Sequence, residues 1–344
     1  MLFLSDAQLE SKAYGALLGI AVGDAMGMPV EMQSRAYIKK KFSLIDTFLP
    51  GDDVNPICKG FVPCETTDDT YMSMLVAENL CDTKGVYSVN RFVEDVLKWD
   101  AEEGKNRTVI GPSTRAALEQ IQRGIPPEEA GKNGVTNGAA MKIIPAGIIC
   151  SLSDKRALVR LVYEICKPTH NTTVANAGAC SIAAVIAGCF DGINNLSSLI
   201  ETACECAVLG ESQGYETVGP SVVERIRWAI NETAGLIDDE HFLDVLYYRI
   251  GTGLPIMQTV PAAFAIFNYA QGDVMRAAGL AANVGGDTDT IGAIACGMCG
   301  AWYGDSGIPQ KVKSQIENTN HFDFFNIAKR LLGVRQGLHR YDGH

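Results

Sequence analysis

Apolar residues recur along this chain at helical spacing, and no stretch alternates convincingly over six residues. Ser5-Asp6-Ala7-Gln8 reads as a capping box. The helix behind it runs to about Val22, with Leu9, Tyr14, Leu17 and Leu18 on its apolar face and Gly23-Asp24 at its end. Gly15, Gly19 and Gly23 recur every four residues, so a second helix is expected to pack very closely there. Residues 33–65 show no convincing period and read as mostly loop, with Lys39-Lys40-Lys41 a solvated face and Asp52-Asp53 a turn. Helices are expected over about 68–81, 88–103, 113–123, 138–150, 155–166 and 172–189. Further ones are expected over about 197–209, 220–234, 239–250, 259–270, 273–283, 288–302 and 324–332. Ser113, Asp239 and Asp273 read as caps, Gly235 and Gly272 as stops, and Val260-Pro261 as a proline in a first turn. No repeat and no low-complexity linker interrupts the series, so the pattern predicts an all-α fold. One compact domain over residues 1–335 is expected, with a flexible tail over 336–344.

Two of these helices begin on clustered oxygens. Glu65-Thr66-Thr67-Asp68-Asp69-Thr70 precedes one, and Gly285-Gly286-Asp287-Thr288-Asp289-Thr290 precedes the other. Asp and Thr are good N-caps, but a cap uses one side chain, and each cluster offers several. Carboxylates packed at the mouth of a buried helix carry charge that a cation neutralises. Hard oxygens suit Mg²⁺, Mn²⁺ or Ca²⁺ rather than a thiolate metal. Gly23-Asp24 strengthens the pattern. The clusters lie some 220 residues apart and share a site only if one fold brings them together.

Composition narrows the classes. The 344 residues are 47% apolar and 20% charged, which is globular and core-forming. A net charge of −11 argues against general nucleic-acid binding. A phosphate-bearing ligand would then be received by metal ions or backbone amides. No basic segment and apolar core follow Met1, and no run is read as approaching the roughly 18 apolar residues of a membrane span. Eleven cysteines are scattered through apolar helical text, as buried free thiols are, which implies the cytoplasm. Cys296 and Cys299 form the only CxxC, without a second pair or a nearby His, and read as core. No GxSxG, Walker or GxGxxG pattern is present. On the residues alone Glu31 is a surface glutamate, His170 a linker residue, and Gly134 to Gly138 a glycine-rich turn whose amides suit a phosphate.

Thr67-Asp68-Asp69-Thr70 and Gly286-Asp287-Thr288-Asp289-Thr290 resemble the two metal-binding motifs of the ADP-ribosylglycohydrolase family, the type that includes dinitrogenase-reductase-activating glycohydrolase and the ADP-ribosylhydrolases. Gly15 to Glu31 resembles its N-terminal signature, Asn137-Gly138-Ala139-Ala140-Met141-Lys142 its central motif, and Thr169-His170 a further short one. The matches run in family order from about Ala13 to Tyr303. The resemblance implies an orthogonal multi-helix domain with a binuclear site for two Mg²⁺ (or Mn²⁺) ions. Thr67, Asp68 and Asp69 would hold one ion, and Asp287, Asp289 and Thr290 the other, with Asp289 the best bridge. Asp287, Asp289 and Glu31 would be catalytic, and Asn137, Gly138, His170, Gly134 and Gly286 would bind substrate. The implied reaction is metal-dependent hydrolysis of an N- or O-glycosidic bond at the ribose anomeric carbon of an ADP-ribosylated protein or small molecule. The motifs do not choose between arginine, serine and acetyl linkages.

Two departures from the family pattern matter. Met141-Lys142 stands where the family usually has Met-Arg, which loses a fork of donors. Val135 stands where tight ADP-ribose binders place an aromatic, a role Tyr215 is a candidate to take over. The alternatives are a hydrolase of a smaller, nucleoside-like riboside, or a non-enzymatic protein like the family's crystallin-like branch, which loss of metal ligands would favour. The expected protein is a monomer or small homo-oligomer with no nucleic-acid or membrane partner.

Overall fold

Helix α1 (Asp6–Gly27) starts on the capping box: Ser5 Oγ accepts from Gln8 N, and the Gln8 side chain accepts from Ser5 N. It continues through Asp24 to Gly27, a turn beyond the expected end. The computed structural model describes residues 4–101 and 109–339. In chain order the helices after α1 are α2 (Arg35–Phe42), α3 (Asp68–Asp82), α4 (Val89–Ala101), α5 (Pro112–Gln122) and α6 (Pro127–Ala130). Then come α7 (Ile144–Ile149), α8 (Lys155–Cys166), α9 (Thr173–Phe190), α10 (Leu196–Gly210), α11 (Val222–Thr233) and α12 (Asp239–Val245). The last are α13 (Ile256–Ala270), α14 (Val274–Val284), α15 (Thr288–Tyr303), α16 (Gln310–Asn320) and α17 (Phe324–His339). No sheet forms among the described residues, and three isolated bridges tie loops together.

The α1–α15 pair is the centre of the fold, and glycine makes it. A Cβ at Gly19 would lie 2.3 Å from the Cys296 carbonyl oxygen, one at Gly23 2.0 Å from that of Gly292, and one at Gly27 2.3 Å from that of Thr288. The expected close approach is therefore present, and the partner is α15. As the α1 numbers rise the α15 numbers fall, so the helices run antiparallel. The end of α1 thereby meets the start of α15. Helices α14, α13, α9 and α7 pack around this pair.

Several sequence expectations need correction. Helix α2 lies inside the segment read as loop. Ser34 caps it through Tyr37 N, but it buries only Arg35 and Ile38, too few apolar positions for a visible period. Helix α16 escapes the sequence pattern for the same reason; its buried residues are Lys313 and Ile316. The helix expected over 138–150 reduces to a 3-10 turn at Asn137–Ala139 and the short α7, because Pro145 fixes the start of α7. The one expected over 239–250 changes to π geometry at Leu246–Ile250. Asp52 is buried rather than a plain turn residue, accepting from Lys41 and from the Tyr37 hydroxyl.

Pro261 lies inside α13, not in its first turn. The carbonyl a proline there leaves without its helical donor is that of Met257, and Arg225 Nε donates to it at 2.6 Å. The same guanidinium reaches the Ile250 carbonyl at the end of the π turn. Helix α17 extends past its expected end at Leu332 to His339, held by Arg335 against Asp191 and the Ile148 and Cys150 carbonyls. The rest of the expected tail, 340–344, and positions 102–103 of the 88–103 helix lie outside the described residues. Among the described residues two helices, α1 with the turn after it and α9, are long and apolar enough to cross a membrane, contrary to expectation. Both are almost wholly buried inside the protein, as core helices are.

The glycine seam is testable. Gly23→Ala should cost about 3 kcal/mol or more, because a backbone carbonyl, not a flexible side chain, occupies the space. Gly279→Ala, inside α14 with nothing within 4 Å, should gain about 0.5–1 kcal/mol. Urea denaturation of the two variants checks the contrast, and a tolerated Gly23→Ala would show that the seam yields.

Candidate metal centre and active site

The seam carries Asp24 to the start of α15. Asp24 is the single acid in the apolar run from Ala13 to Gly27, and it is completely buried. Its carboxylate accepts from Thr67 N at 3.0 Å, Thr70 N at 3.1 Å and Thr70 Oγ1 at 2.6 Å. It thus caps the N-terminus of α3 from another helix and fixes α3 beside α15. Thr67 adds the local cap, accepting from Asp69 N. Thr288 Oγ1 donates to the Gly27 carbonyl at 2.8 Å, pinning the first turn of α15 to the last turn of α1.

The Gly285-Gly286 bend has φ of +83° at both residues. Glycine is required there, since a Cβ at Gly286 would also fall 2.2 Å from the Thr252 carbonyl oxygen. Gly286 exchanges hydrogen bonds with Met32 N (2.7 Å) and the Gln33 carbonyl (2.8 Å), which brings Glu31 to the same place. Asn55 Nδ2 holds the Glu31 carbonyl at 2.8 Å. Asn137 Nδ2 donates to Asp287 and to Thr259 Oγ1, so the central loop also reaches the cluster.

Six acids therefore converge: Asp24, Glu31, Asp68, Asp69, Asp287 and Asp289. Asp24, Asp69 and Asp289 each place one carboxylate oxygen within 4.8 Å of the others, and so do Glu31, Asp287 and Asp289. Asp289 belongs to both groups. Among the described residues, three buried carboxylate oxygens have no hydrogen-bond partner: Glu31 Oε2, Asp69 Oδ2 and Asp289 Oδ1. Buried unpaired carboxylates are costly, and a cation removes that cost, so these residues fit a hard divalent metal.

Without a cation the cluster holds protons. Burial pushes Asp24 up to about 6 and, with the Asp24 charge nearby, Asp68 up to about 8. Burial, then the charge of Asp289, holds Asp69 and Glu31 well above the usual carboxylate range. Asp289 is raised well above it by burial and Asp287. Asp287 is raised by burial, against the Asn137 hydrogen bond that lowers it.

A cavity of about 130 Å³ opens on this cluster. Of the sequence-predicted residues, Glu31, Asp68, Asn137, Gly138, Asp287, Asp289 and Thr290 line it. Thr67, Asp69, Gly134, His170 and Gly286 do not line it. Thr290 Oγ1 donates to Asp69 at 3.2 Å. Gly134 packs on the Thr169 carbonyl, and Gly138 on the His170 ring. Tyr215 does not line the cavity; its hydroxyl donates to Glu129 at 2.8 Å. Sequence reasoning leaves Asp24 out of the ligand set. Its signal is a lone acid in an otherwise apolar helix, whose partners are disclosed only by the fold.

Comparison with known proteins shows the family. A family model described as ADP-ribosylglycohydrolase matches residues 5–340. The chain belongs to the ADP-ribosylglycohydrolase family. It is thus a glycosyl-bond hydrolase of ADP-ribosylglycohydrolase type. It is 36% identical to an uncharacterized protein, YegU, of Escherichia coli, over 94% of this chain and 96% of that one. It is 24% identical to the ADP-ribosyl-[dinitrogen reductase] glycohydrolase of Rhodospirillum rubrum, over 91% and 93%. A solved structure described as an ADP-ribosylglycohydrolase-related protein complex shares the fold, with a TM-score of 0.70 at 23% identity, covering 96% of this chain and 99% of that one.

The raised carboxyls set a pH dependence. A carboxyl whose folded pKa exceeds its unfolded one, near 3.8, stabilises the fold below the unfolded value and loses that contribution as pH rises through the folded value. In chelator the melting temperature should therefore fall as pH rises from about 4 through 8, the window set by Asp24 and Asp68. Excess Mg²⁺ should flatten that fall. Thermal melts across the range, with and without EDTA, check it; a chelated protein that gains stability with pH would contradict the placement of these acids.

Proposed function

We propose that this family member is a metal-dependent hydrolase of the N- or O-glycosidic bond at a ribose anomeric carbon, with an ADP-ribosylated protein or small molecule as substrate. The observation that carries the reading is the pair of buried acid groups sharing Asp289, with three partnerless oxygens, beside a cavity that Glu31, Asp287 and Asp289 line. Asp24, Asp69 and Asp289 would hold one divalent cation, and Glu31, Asp287 and Asp289 a second, with Asp68, Thr67 and Thr290 alongside. Mg²⁺ or Mn²⁺ suits this all-oxygen set, and supplies Lewis acidity and charge neutralisation when bound.

The chain's own residues do the rest. Asn137 fixes one Asp287 oxygen, leaving the other for the site. Glu31 is anchored through its backbone by Asn55 and the Gly286 bridge, with Oε2 unpaired, which suits a general base. Asn137 and Gly138 line the cavity, together with the apolar residues Ile110, Met141 and Leu254. The cavity is smaller than the roughly 300 Å³ at which pockets for drug-sized ligands begin. A whole ADP-ribosyl group therefore extends beyond it. That volume also favours the second reading, a smaller riboside. All eleven cysteines are free, which supports a cytoplasmic setting.

Asp289→Asn tests the assignment. It keeps the shape and removes a charge shared by both acid groups. Turnover of an ADP-ribosyl substrate should fall by roughly 10² or more, with Mg²⁺ stabilisation weakened and the circular dichroism spectrum unchanged. EDTA should abolish wild-type activity. A folded mutant with near-full activity would refute the site, and a wild type indifferent to metal would favour the crystallin-like reading. Comparing kcat/KM on ADP-ribosyl and simple riboside substrates separates the two enzymatic readings.

A further inference from the structure

Lys142 is completely buried and makes no ion pair among the described residues. Its ammonium donates to the Gly138 carbonyl at 2.7 Å and to Thr169 Oγ1 at 3.2 Å, and sits 5.6 Å from the centroid of the Phe92 ring. Thr169 Oγ1 lies 2.8 Å from His170 Nδ1, and His170 Nε2 lies 2.9 Å from Thr136 Oγ1. Thr169 and His170 are buried; Thr136 is half-buried and lines the cavity. The four residues therefore form a line of contacts from a buried cation to the cavity wall.

Counting protons gives that line a direction. An ammonium only donates, so Thr169 Oγ1 accepts from Lys142. The hydroxyl's own proton then goes to His170 Nδ1, its other contact. The opposite arrangement would aim two donors at one oxygen and leave the hydroxyl proton without an acceptor. The imidazole is thus neutral and protonated at Nε2, from which it donates to Thr136 Oγ1. Burial and the Lys142 charge both keep it from taking a second proton. Thr136 Oγ1, having accepted from the ring, carries its own proton on the side away from it.

We infer that Lys142, Thr169 and His170 form a directional relay that aims the Thr136 hydroxyl proton into the cavity, where it donates to an acceptor oxygen of the substrate. Thr136 is then a substrate-recognition residue, while Lys142 and His170 are positioning residues. The relay gives a cavity lined by the carboxylates of Glu31, Asp68, Asp287 and Asp289 a hydroxyl donor as well. The inference rests on the ribosyl-hydrolase reading for the ligand, not for the relay. The acceptor is a sugar hydroxyl or a phosphate oxygen.

Two measurements on the full-length protein test it. The first is long-range ¹H–¹⁵N correlation on histidine-labelled protein, with His170→Gln used for assignment among the five histidines. A neutral Nε2–H tautomer at His170, perturbed in Lys142→Met, is expected; an Nδ1–H tautomer or an imidazolium overturns the relay. The second is affinity in saturating Mg²⁺ for ADP-ribose and for free ribose. Thr136→Val should weaken binding about 5- to 10-fold, as loss of one hydrogen bond to a ligand does, and Thr136→Ser should restore it. His170→Phe should weaken it similarly, with no further loss in the double mutant, whereas multiplying losses would show that His170 does not act through Thr136. Loss with both probes places a sugar oxygen at Thr136, and loss with ADP-ribose alone a phosphate oxygen. Unchanged affinity in Thr136→Val overturns the inference. A wild type that binds neither probe sinks the ribosyl-hydrolase reading and the ligand role of Thr136 together, while the tautomer still decides the relay.

Discussion

From Gly15 to Gly27 every fourth residue of α1 lacks a side chain, and the backbone of α15 occupies that space. Helix pairs usually keep their axes 8–10 Å apart because side chains intervene. Here carbonyl oxygens take the place of methyl groups, and the end of one helix meets the start of the other. The consequence is chemical as much as architectural. Asp24, near the end of α1, stands beside Asp289, in the first turn of α15, although 265 positions separate them in the chain. A single methyl on that seam would move the two helices and the acids with them.

The acids then create a demand that the protein alone leaves unmet. Helix N-termini favour negative charge, and α3 and α15 both present theirs to the cluster. Asp24 spends its hydrogen bonds on α3, and Asp287 engages Asn137, but Glu31, Asp69 and Asp289 keep bare oxygens in a buried place. Such a site binds protons when no cation is present and exchanges them for a cation when one arrives. Stability is therefore coupled to protons and to cations at these buried acids.

The Thr136–Gly138 side of the cavity is built on another plan. The Thr136–Gly138 loop has little regular structure of its own and is supported from behind by Lys142, Thr169 and His170. Gly138 lies flat on the imidazole, where a Cβ would come within 2.6 Å of Cε1. Behind the loop, buried polar groups satisfy one another. Lys142 serves in that support where the family usually carries an arginine. It makes two hydrogen bonds and faces an aromatic ring, so each of its donors has a destination without the planar fork.

The all-helical class, most helix positions, the two acidic helix starts and the close-packing face of α1 were legible in the sequence. Each rests on local spacing: a period near 3.6, a cap, or a glycine every fourth residue. Segments that bury few apolar side chains, α2 and α16, were not legible, because periodicity reports burial and they bury little. Nor was the role of Asp24, whose three donors come from residues more than 40 positions away. The sequence could mark His170 for the pocket, but only the fold shows it behind Gly138 rather than on the cavity surface. Local pattern determined which elements form and which chemistry they carry. Which oxygens share a cation-sized space, and which are left unpaired, was decided by tertiary packing, because those distances are set by contacts between residues far apart in the chain.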